Sequence, residues 1–480
     1  MLTSMDDPQV SRILEKLASA RLADPSFEVF GASAHRYAVH APASVEAVAG
    51  FELLHAITLP QAYKRFLLGV GNGGVSHTGS AAGPFYGIYA LGTGLDDLSI
   101  DPPAVALAKP CLMSPRMSVP DWAALTSRLG LDSDLGDEEH DEAYAALFGG
   151  LLPIGSQGCT YLHCLVLNGP FAGRVVNVDQ DFSQPPVFAH EPDFLAWYER
   201  WLDEVISGDL GRGAAWFGYV PGGPETQLLD GFLTATDPQI AQEFLAGLLS
   251  KRRLAAPTLV ELAALRTDAA AQRATICQIV CKSDPGMARP LLAELAQRDP
   301  LSFFQCLFWY ARDEIAQWQT QILSLAGRLQ DEETFRFFTH VLEPLAVDRG
   351  AVLAPFTRSE DSAIRAQAFY AMGKVADRSR YLDCFIAGLD DPDNHVVRNT
   401  LQALAGLKST ALVPSYRTLA RRFPVERDYV LSNLDWLLRE LGLSRADLVR
   451  SDVIPTSEPP ARTEIVSTIW RRFMDSIRLR

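Results

Sequence analysis

The chain has 480 residues and a formal net charge of −15, and 48% of its residues are hydrophobic while 21% are charged. This length exceeds what one hydrophobic core supports, so two or three domains are expected, and the composition excludes an intrinsically disordered protein. The sequence contains no apolar run long enough to cross a membrane, and its N-terminal segment carries Asp6 and Asp7 where a signal peptide carries positive charge. Its seven cysteines follow no framework spacing, so we expect a cytoplasmic protein without a membrane partner.

The excess negative charge is concentrated in the first half of the chain. Residues 1–224 contain 12 Lys and Arg against 26 Asp and Glu, a difference of −14. Residues 225–480 contain 31 against 32, a difference of −1. An acidic half attracts basic partners and repels nucleic acid, so we expect no nucleic-acid partner.

Helices dominate the predicted elements at the start of the chain. Apolar spacing predicts helices at 10–22 and 45–55, the second with Ser44 as its N-cap, and a brief strand is expected at 36–40. Pro60 indicates the start of another helix, because proline is tolerated in a first helical turn. One face of that helix carries Tyr63, Phe66, Leu67 and Val70.

A glycine-rich turn follows that helix. Gly69, Gly71, Gly73 and Gly74 surround Asn72 and are expected to stop the helix, with a positive φ at one or more of the last three glycines. Residues 85–91 are then predicted to form a strand. The GVGNGG motif formally fits a dinucleotide-binding pattern, but such a motif follows a strand and begins a helix, and here the order is inverted. A structural role is therefore favoured.

Residues 92–207 combine an irregular part with a predicted sheet. The irregular part contains an acidic insertion at 132–142, including Asp132 and Asp134, which is expected to be a solvated loop. Residues 161–166 and 173–177 predict two strands joined by a turn at 168–170. Asp179 and Asp181 share a strand face and are expected at a solvated edge. A helix at 194–205 should cover one face of the sheet.

Three residue patterns are typical of chemical sites, and each has a simpler explanation. Strand alternation places Cys164 on the side opposite Cys159 and His163, so these residues cannot share one metal ion without a bulge. Cys277 and Cys281 share a helix face but lack a neighbouring His. Ser156 lies in a glycine turn without a positioned base. We therefore expect buried thiols, and no catalytic residue, cofactor or metal.

The segment 208–225 is predicted to be a linker because of its glycine and proline content, and its Trp216–Phe217 pair is expected to help two domains dock. Helical patterns replace strands beyond it. Segments 364–374 and 397–407 align at an offset of 33, and each follows an acidic turn. The alignment resembles a HEAT-type repeat and predicts stacked helix pairs over 225–450.

Several segments of the first half, in order, resemble one known family. A helix ending in LPQAYKRFLLGVGNGG is followed by GPFYGIYAL, then by LLPIGSQGCTYLHCLVLNGPFAGRVV, and later by DFLAWYERWL. Together they resemble the SUKH superfamily, which includes yeast cell-wall regulators and bacterial immunity proteins. The resemblance covers roughly residues 30–207 and implies a binding fold rather than a reaction.

We therefore expect an α+β N-terminal domain at 1–207, with a mixed sheet flanked by helices, a linker at 208–225 and an all-α helical-repeat domain at 226–480. The resemblance implies a non-enzymatic immunity protein that binds and neutralises a cognate toxin, for which a basic nuclease is one candidate. The alternative is a regulatory scaffold in which the helical repeats hold one partner and the acidic domain another. The residues predicted to contact a partner are Asn72, Tyr86, Asp137, Glu138, Glu139, Asp141, Glu142, Asp179 and Asp181.

Overall fold

The computed structural model describes residues 7–74, 79–98, 103–129, 135–211 and 217–450. The chain divides into two compact units between Asp284 and Pro285. Among the described residues, the first unit contains a small sheet with helices, and the second contains helices without strands. This confirms the expected order of an α+β part followed by an all-α part. Every described helix is too short or too polar to cross a lipid bilayer.

The elements of the first unit follow in chain order. Its strands are β1 Leu151–Gly158, β2 Tyr161–Val166, β3 Val175–Asp179 and β4 Val187–Phe188. Its helices are α1 Pro8–Ala23, α2 Ala32–His35, α3 Val45–His55, α4 Gln61–Gly69, α5 Pro103–Ala108, α6 Val119–Thr126, α7 Asp137–Leu147, α8 Phe194–Ser207, α9 Glu225–Thr234, α10 Pro238–Ser250, α11 Ala256–Ala264 and α12 Ala270–Ser283.

The four strands form one sheet in the order β1-β2-β3-β4, and all three pairings are antiparallel. The mixed sheet expected from the sequence is therefore wrong, whereas the β2–β3 pair is confirmed. Strand β1 was missed because Pro153 and two glycines interrupt it. It is an edge strand with a register shift between Pro153 and Gly155, and edges and bulges are where proline is tolerated in a sheet.

Both faces of the sheet are covered. Leu152, Ile154 and Leu165 belong to a core that also contains residues of α1, α4 and α8. Leu151, Cys164 and Val166 belong to a second core, shared with α6 and α7. Neighbouring strand residues thus alternate between the two cores. The prediction that the helix after residue 194 covers one face is confirmed, and a second helical layer covers the other.

The glycines after α4 are required by close backbone contacts rather than by a positive φ. Gly71, Gly73 and Gly74 do not have positive φ angles, so that expectation is wrong. A Cβ added to Gly73 would lie 1.9 Å from the carbonyl oxygen of Tyr89, and one added to Gly74 would lie 1.7 Å from that of Gly79. The backbone at Gly73 and Gly74 therefore approaches the backbone of Tyr89 and Gly79 so closely that only glycine fits.

The segments expected as strands at 85–91 and 36–40 are not strands. Phe85 has a φ of 52° and Gly87 one of 93°, which turn the chain out of an extended path. The segment still runs beside β1, because the N–H of Tyr89 donates to Ile154 O at 2.9 Å. Arg36 and Tyr37 also have positive φ angles, 49° and 57°. Backbone conformation at single residues therefore overrides the apolar alternation.

We expect Gly73→Ala to lower the free energy of unfolding by about 3 kcal/mol, at the upper end of the cost of overpacking, because the new methyl group meets backbone that cannot rotate away. Gly50→Ala is the matched control, since a Cβ there would meet nothing within 4 Å. Gly50 lies inside α3, where the change should stabilise by about 0.5–1 kcal/mol. Equal stabilities of the two variants in urea denaturation would contradict the close-approach explanation.

The segment after α8 is anchored rather than free. Arg200 of α8 is 8% exposed and donates to Glu191 Oε1 and Glu204 Oε1, each at 2.8 Å, and to Val220 O at 2.9 Å. Its guanidinium carbon also lies 5.1 Å from the centre of the Phe217 ring. Phe217 packs into the core of the first unit, while Trp216 lies outside the described residues. The exposed linker expected at 208–225 is therefore wrong for residues 217–225.

A buried polar network on the sheet holds the same segment. Tyr219 donates from its hydroxyl to Gln157 Oε1 at 3.0 Å, and Gln157 Nε2 donates to Asn177 Oδ1 at 2.9 Å. His163 Nδ1 lies 2.8 Å from Asn177 Oδ1 and 3.2 Å from Gln157 Nε2, so the imidazole ring is part of the same network. Burial lowers the pKa of His163 to about 4, which keeps the ring neutral near pH 7.

We expect Arg200→Ala to lower the free energy of unfolding by about 3–5 kcal/mol, because Glu191 and Glu204 would stay buried without a cation. Limited proteolysis within 217–225 should become faster in the same variant. The control is Arg12→Ala, since the side chain of Arg12 is 53% exposed in its pair with Glu199, and its loss should lower the free energy of unfolding far less. Similar losses in both variants would mean that the buried network adds nothing.

The second unit is built from helices in pairs. They are α13 Pro285–Arg298, α14 Pro300–Tyr310, α15 Gln319–Leu325, α16 Glu332–Leu342, α17 Arg349–Leu353, α18 Ser362–Met372, α19 Leu382–Leu389, α20 Asn394–Ala403, α21 Val413–Arg422, α22 Val430–Glu440 and α23 Arg445–Arg450. The even-numbered helices α14, α16, α18, α20 and α22 each pack on the next, which gives a repeat-like architecture. The sequence predicted an independent fold for 226–480. The compact units instead divide after residue 284, and α9–α12 belong to the first of them, so the independent fold stays a prediction.

The repeat-like helices share one capping residue. Asp299, Asp331, Asp361 and Asp393 are the N-caps of α14, α16, α18 and α20, and each side chain accepts a backbone N–H. The acidic turns noted in the sequence at 361 and 393 are therefore helix starts. These two caps are separated by 32 positions, so the alignment at an offset of 33 is one residue out of the structural register.

Candidate functional site

The excess negative charge of the chain is concentrated in one stretch of the first unit's sequence. Residues 79–182 contain 13 Asp and Glu against 4 Lys and Arg, a difference of −9 out of the total of −15. This stretch supplies α6, α7 and most residues of the second core. Because that core covers one face of the sheet, its helices place their polar sides toward solvent on the same side of the molecule.

Helix α7 carries the acids that the sequence analysis assigned to a loop. Gly136 is its N-cap, and its first turn contains three acids, where negative charge interacts favourably with the helix dipole. Ala145 and Leu147 are buried in the second core. The loop expected at 137–142 is therefore wrong, and Asp132 and Asp134 lie outside the described residues. The exposed acids of this helix are Asp137, Glu138, Glu139, Asp141 and Glu142.

Asp181 lies beside the same helix. The ring of Tyr144 on α7 is 5.9 Å from that of Phe182, and Gln180 hydrogen-bonds to the Tyr144 side chain. Burial raises the pKa of Tyr144 to about 12, and the charge of Asp181 adds to the rise. Asp181 itself is exposed. The turn after β3 therefore adds an exposed carboxylate beside those of α7, and a partner contact by Asp181 stays a prediction.

One further exposed acid, Asp96, belongs to this surface and was missed. Asp96 and Asp97 form part of a 3₁₀ helix at 95–98. Gln180 Nε2 donates to the carbonyl oxygen of Asp97, which joins this helix to the turn of Asp181. Asp97 Oδ2 accepts from the Tyr89 hydroxyl at 2.8 Å, whereas Asp96 is exposed. The adjacent aspartates were the only signal in the sequence. We call the following residues the acidic face: Asp96, Asp137, Glu138, Glu139, Asp141, Glu142 and Asp181.

Asp179 is a buried structural carboxylate and does not belong to the acidic face. It is 3% exposed and accepts from Thr160 Oγ1 at 2.8 Å and from the N–H groups of Asp181 and Ser183, each at 3.1 Å. The solvated edge expected from the sequence is therefore wrong for Asp179. Burial alone would raise its pKa, but the donors outweigh burial and lower the pKa below its ordinary value.

We expect Asp179→Ala to lower the free energy of unfolding at pH 7 by about 1–3 kcal/mol, because several buried donors lose their acceptor. A lowered folded-state pKa means that the carboxylate stabilises the fold above its unfolded-state pKa of about 3.9 and loses that effect as the pH falls further. The difference from the unmodified protein should therefore shrink below about pH 4. Asp181→Ala is the exposed control. A loss that is independent of pH would contradict this role.

Asn72 and Tyr86 belong to the segment that runs beside β1 rather than to α7. Asn72 Oδ1 accepts from the N–H of Leu91 at 2.9 Å and of Gly73 at 3.1 Å, so its carbonyl group closes the glycine turn. The Tyr86 ring is half-buried and packs edge-on, 5.2 Å from Phe30, a residue that is 58% exposed. Partner contacts by either residue stay predictions, and Phe30 is an additional exposed aromatic that the sequence analysis missed.

The patterns considered for chemistry occupy structural positions. Cys164, Cys277 and Cys281 are buried, as expected, whereas Cys159 is exposed in the β1–β2 turn with a φ of 49°. His163 stacks edge-on against Trp197 in the first core, while Cys164 lies in the second. Within the described ranges, no group of three His, Cys, Asp or Glu residues is placed to hold a metal ion.

Comparison with protein-family models and with curated proteins gave no match for this chain. The resemblance of residues 30–207 to the SUKH superfamily therefore rests on the quoted residues alone.

Proposed function

We propose that the chain is a non-enzymatic binding protein whose acidic face captures a basic protein partner. The observation that carries this proposal is the collection of exposed carboxylates from three separate segments, 96, 137–142 and 181, on one layer of a well-packed unit. Such a surface is costly to assemble, because like charges repel each other. A basic partner would remove that repulsion and gain from the complementary field.

Capture by this face would work mainly through the rate of association. Exposed charges steer an oppositely charged partner toward the correct orientation and can raise the association rate by orders of magnitude at low salt. The acids of α7 also lie at the N-terminus of their helix, so the helix dipole partly offsets their repulsion in the free protein. The buried side of α7 fixes the helix on the sheet, which presents the acids without further ordering.

Neutralisation of a cognate toxin is the form of this function that the SUKH resemblance favours. That superfamily includes bacterial immunity proteins. A toxin neutralised by such a protein would carry a basic surface if it acts on nucleic acid. The acidic face would then cover the active surface of the toxin. Co-expression with the product of a neighbouring gene tests this form of the proposal: growth should be rescued by the unmodified chain and not by a variant without the acids of α7. Equal rescue by both would exclude it.

The alternative of a regulatory scaffold is favoured by one observation in the second unit. Its even-numbered helices pack in sequence and leave large side chains exposed, including Trp309 and Tyr370, at 50% and 42%. Exposed aromatic residues on stacked helices are typical of an interaction surface. In that case the acidic face and the helical stack would hold different partners.

We expect the association rate with a basic partner to fall as salt rises, because exposed charges are screened beyond about 8 Å at physiological ionic strength. Neutralising all five acids of α7 should slow association more than it changes dissociation, as measured by stopped-flow or surface-based kinetics.

A control with the same change in net charge separates the acidic face from the overall charge. It replaces five acids that are exposed elsewhere, namely Glu15, Asp230, Glu261, Glu360 and Asp383. The control should retain most of the association rate. If both quintuple variants slow association equally, net charge rather than this face attracts the partner.

A further inference from the structure

The repeated N-caps of the second unit align one position on successive helices. The ninth residue after Asp299, Asp331, Asp361 and Asp393 lies near the end of α14, α16, α18 and α20 in turn. Because each of these helices packs on the next, equivalent positions form a row across the stack. The residues of this row are Phe308, His340, Tyr370 and Gln402.

Aromatic rings make the row continuous over its first helices. The rings of Phe308 and His340 stack at 4.9 Å, and those of Trp309 and Phe337 meet edge-on at 5.2 Å. Trp309 is 50% exposed and Tyr370 is 42% exposed. Aromatic side chains of this size bury large areas when a partner covers them, so the row has the apolar platforms that a docking surface needs.

One cation stands over an aromatic ring on each of the first three of these helices. The guanidinium carbon of Arg312 is 5.1 Å from the Phe308 ring centre, that of Arg336 is 5.8 Å from Phe337, and Lys374 Nζ is 5.0 Å from Tyr370. All three side chains are exposed. The nearest acids are Glu343, at 3.4 Å from Lys374, and Glu332 and Glu333, at 4.0 and 3.8 Å from Arg336.

The three cations converge on His340. Burial lowers the pKa of His340, and the charges of Lys374, Arg336 and Arg312 lower it further, while Glu343 is the one acid that opposes them there. The centre of the row thus combines three cations with Glu332, Glu333 and Glu343, in contrast to the excess of acids in the first half of the chain.

The row continues into a polar pocket between α20 and α22. This pocket has a volume of about 380 Å³ and is lined by Arg398, Gln402, Tyr429, Ser432 and Asn433. Gln402 is the last residue of the row, and Tyr429 is 68% exposed. A cation and an aromatic ring thus recur on the next pair of helices.

We propose that the row of Trp309, Arg312, Arg336, His340, Tyr370 and Lys374 docks an extended acidic segment of a partner protein, which crosses the helices and ends at the pocket beside Arg398. Packed helix axes lie about 8–10 Å apart, and an extended chain advances about 3.3 Å per residue. One cation per helix therefore matches a carboxylate at every third residue of the segment. The exposed rings of Trp309 and Tyr370 cover the apolar backbone and side chains between the carboxylates.

Charge density favours a peptide over a nucleic acid as the occupant. A single strand carries a phosphate at every nucleotide and needs a dense cationic track. This row offers one cation per helix with Glu332, Glu333 and Glu343 nearby, on a chain with a net charge of −15. A peptide with a few spaced carboxylates gains from the same cations and avoids those acids.

Fluorescence anisotropy of the full chain at low salt tests this proposal with three labelled probes. The first is a nonapeptide of alanine and serine with glutamates at its first, fourth and seventh positions. The second has the same composition with the glutamates adjacent, and the third is a short oligothymidylate. The spaced peptide should bind about fivefold or more tightly than the clustered one, which corresponds to about 1 kcal/mol. Equal binding of the two peptides, absence of binding, or preference for the oligonucleotide would each overturn the proposal.

Two variants and a control locate the binding. Trp309→Ala and Lys374→Ala should each weaken binding of the spaced peptide about fivefold, the size expected for one exposed cation–π or aromatic contact. Arg298→Ala removes a cation whose side chain is 58% exposed on α13, outside the row, and should leave binding within about twofold. The melting temperatures of the three variants should agree with one another. Loss of binding in Arg298→Ala equal to that in Lys374→Ala would show non-specific attraction and overturn the proposal.

Discussion

The first unit depends on the buried guanidinium of Arg200. It holds two carboxylates, one backbone carbonyl and one aromatic ring, and these come from α8 and from the chain on either side of it. Removing such a group from water is costly, and the cost is offset only when nearly every donor finds an acceptor. Because Val220 and Phe217 are among its contacts, the same network fixes the start of α9–α12 against the sheet.

Covering both faces of the sheet limits where binding can occur. A four-stranded sheet with an exposed face could bind a partner on its strands, but here two cores use those faces completely. The surfaces that remain are the outer sides of the covering helices and the edge beside β1. The binding proposed for α7 and its neighbouring turns therefore needs no exposed strand, and these surfaces can change in charge without disturbing the core. The same holds for the helical stack of the second unit, where packing lies inside and the proposed docking row lies on the exposed side.

The sequence predicted those elements whose cause is local. Pro60, the apolar stripe of α8 and the β2–β3 pair were identified because periodicity and turn residues act within a few positions. Strand β1 was missed because Pro153 interrupts its pattern, and the strand predicted at 85–91 was wrong because Phe85 has a positive φ. In both places the backbone conformation depends on contacts with residues far along the chain. Burial of Asp179 could not be predicted, since Thr160 and Ser183 approach it only in the fold. The same holds for the contact between the 3₁₀ helix at 95–98 and the turn of Asp181, which Gln180 makes through the carbonyl oxygen of Asp97.

The aspartate caps also determine which mutations the helical stack can accept. A cap fixes the first residue of its helix, so every later side chain has a set direction, and each added or deleted residue rotates it by about 100°. A one-residue insertion between Asp361 and Tyr370 would therefore turn that ring away from its neighbours while leaving the helix intact. An insertion in the connection between Leu389 and Asp393 would leave these directions unchanged. Length variation should thus be absent from the capped helices and concentrated in the connections between them.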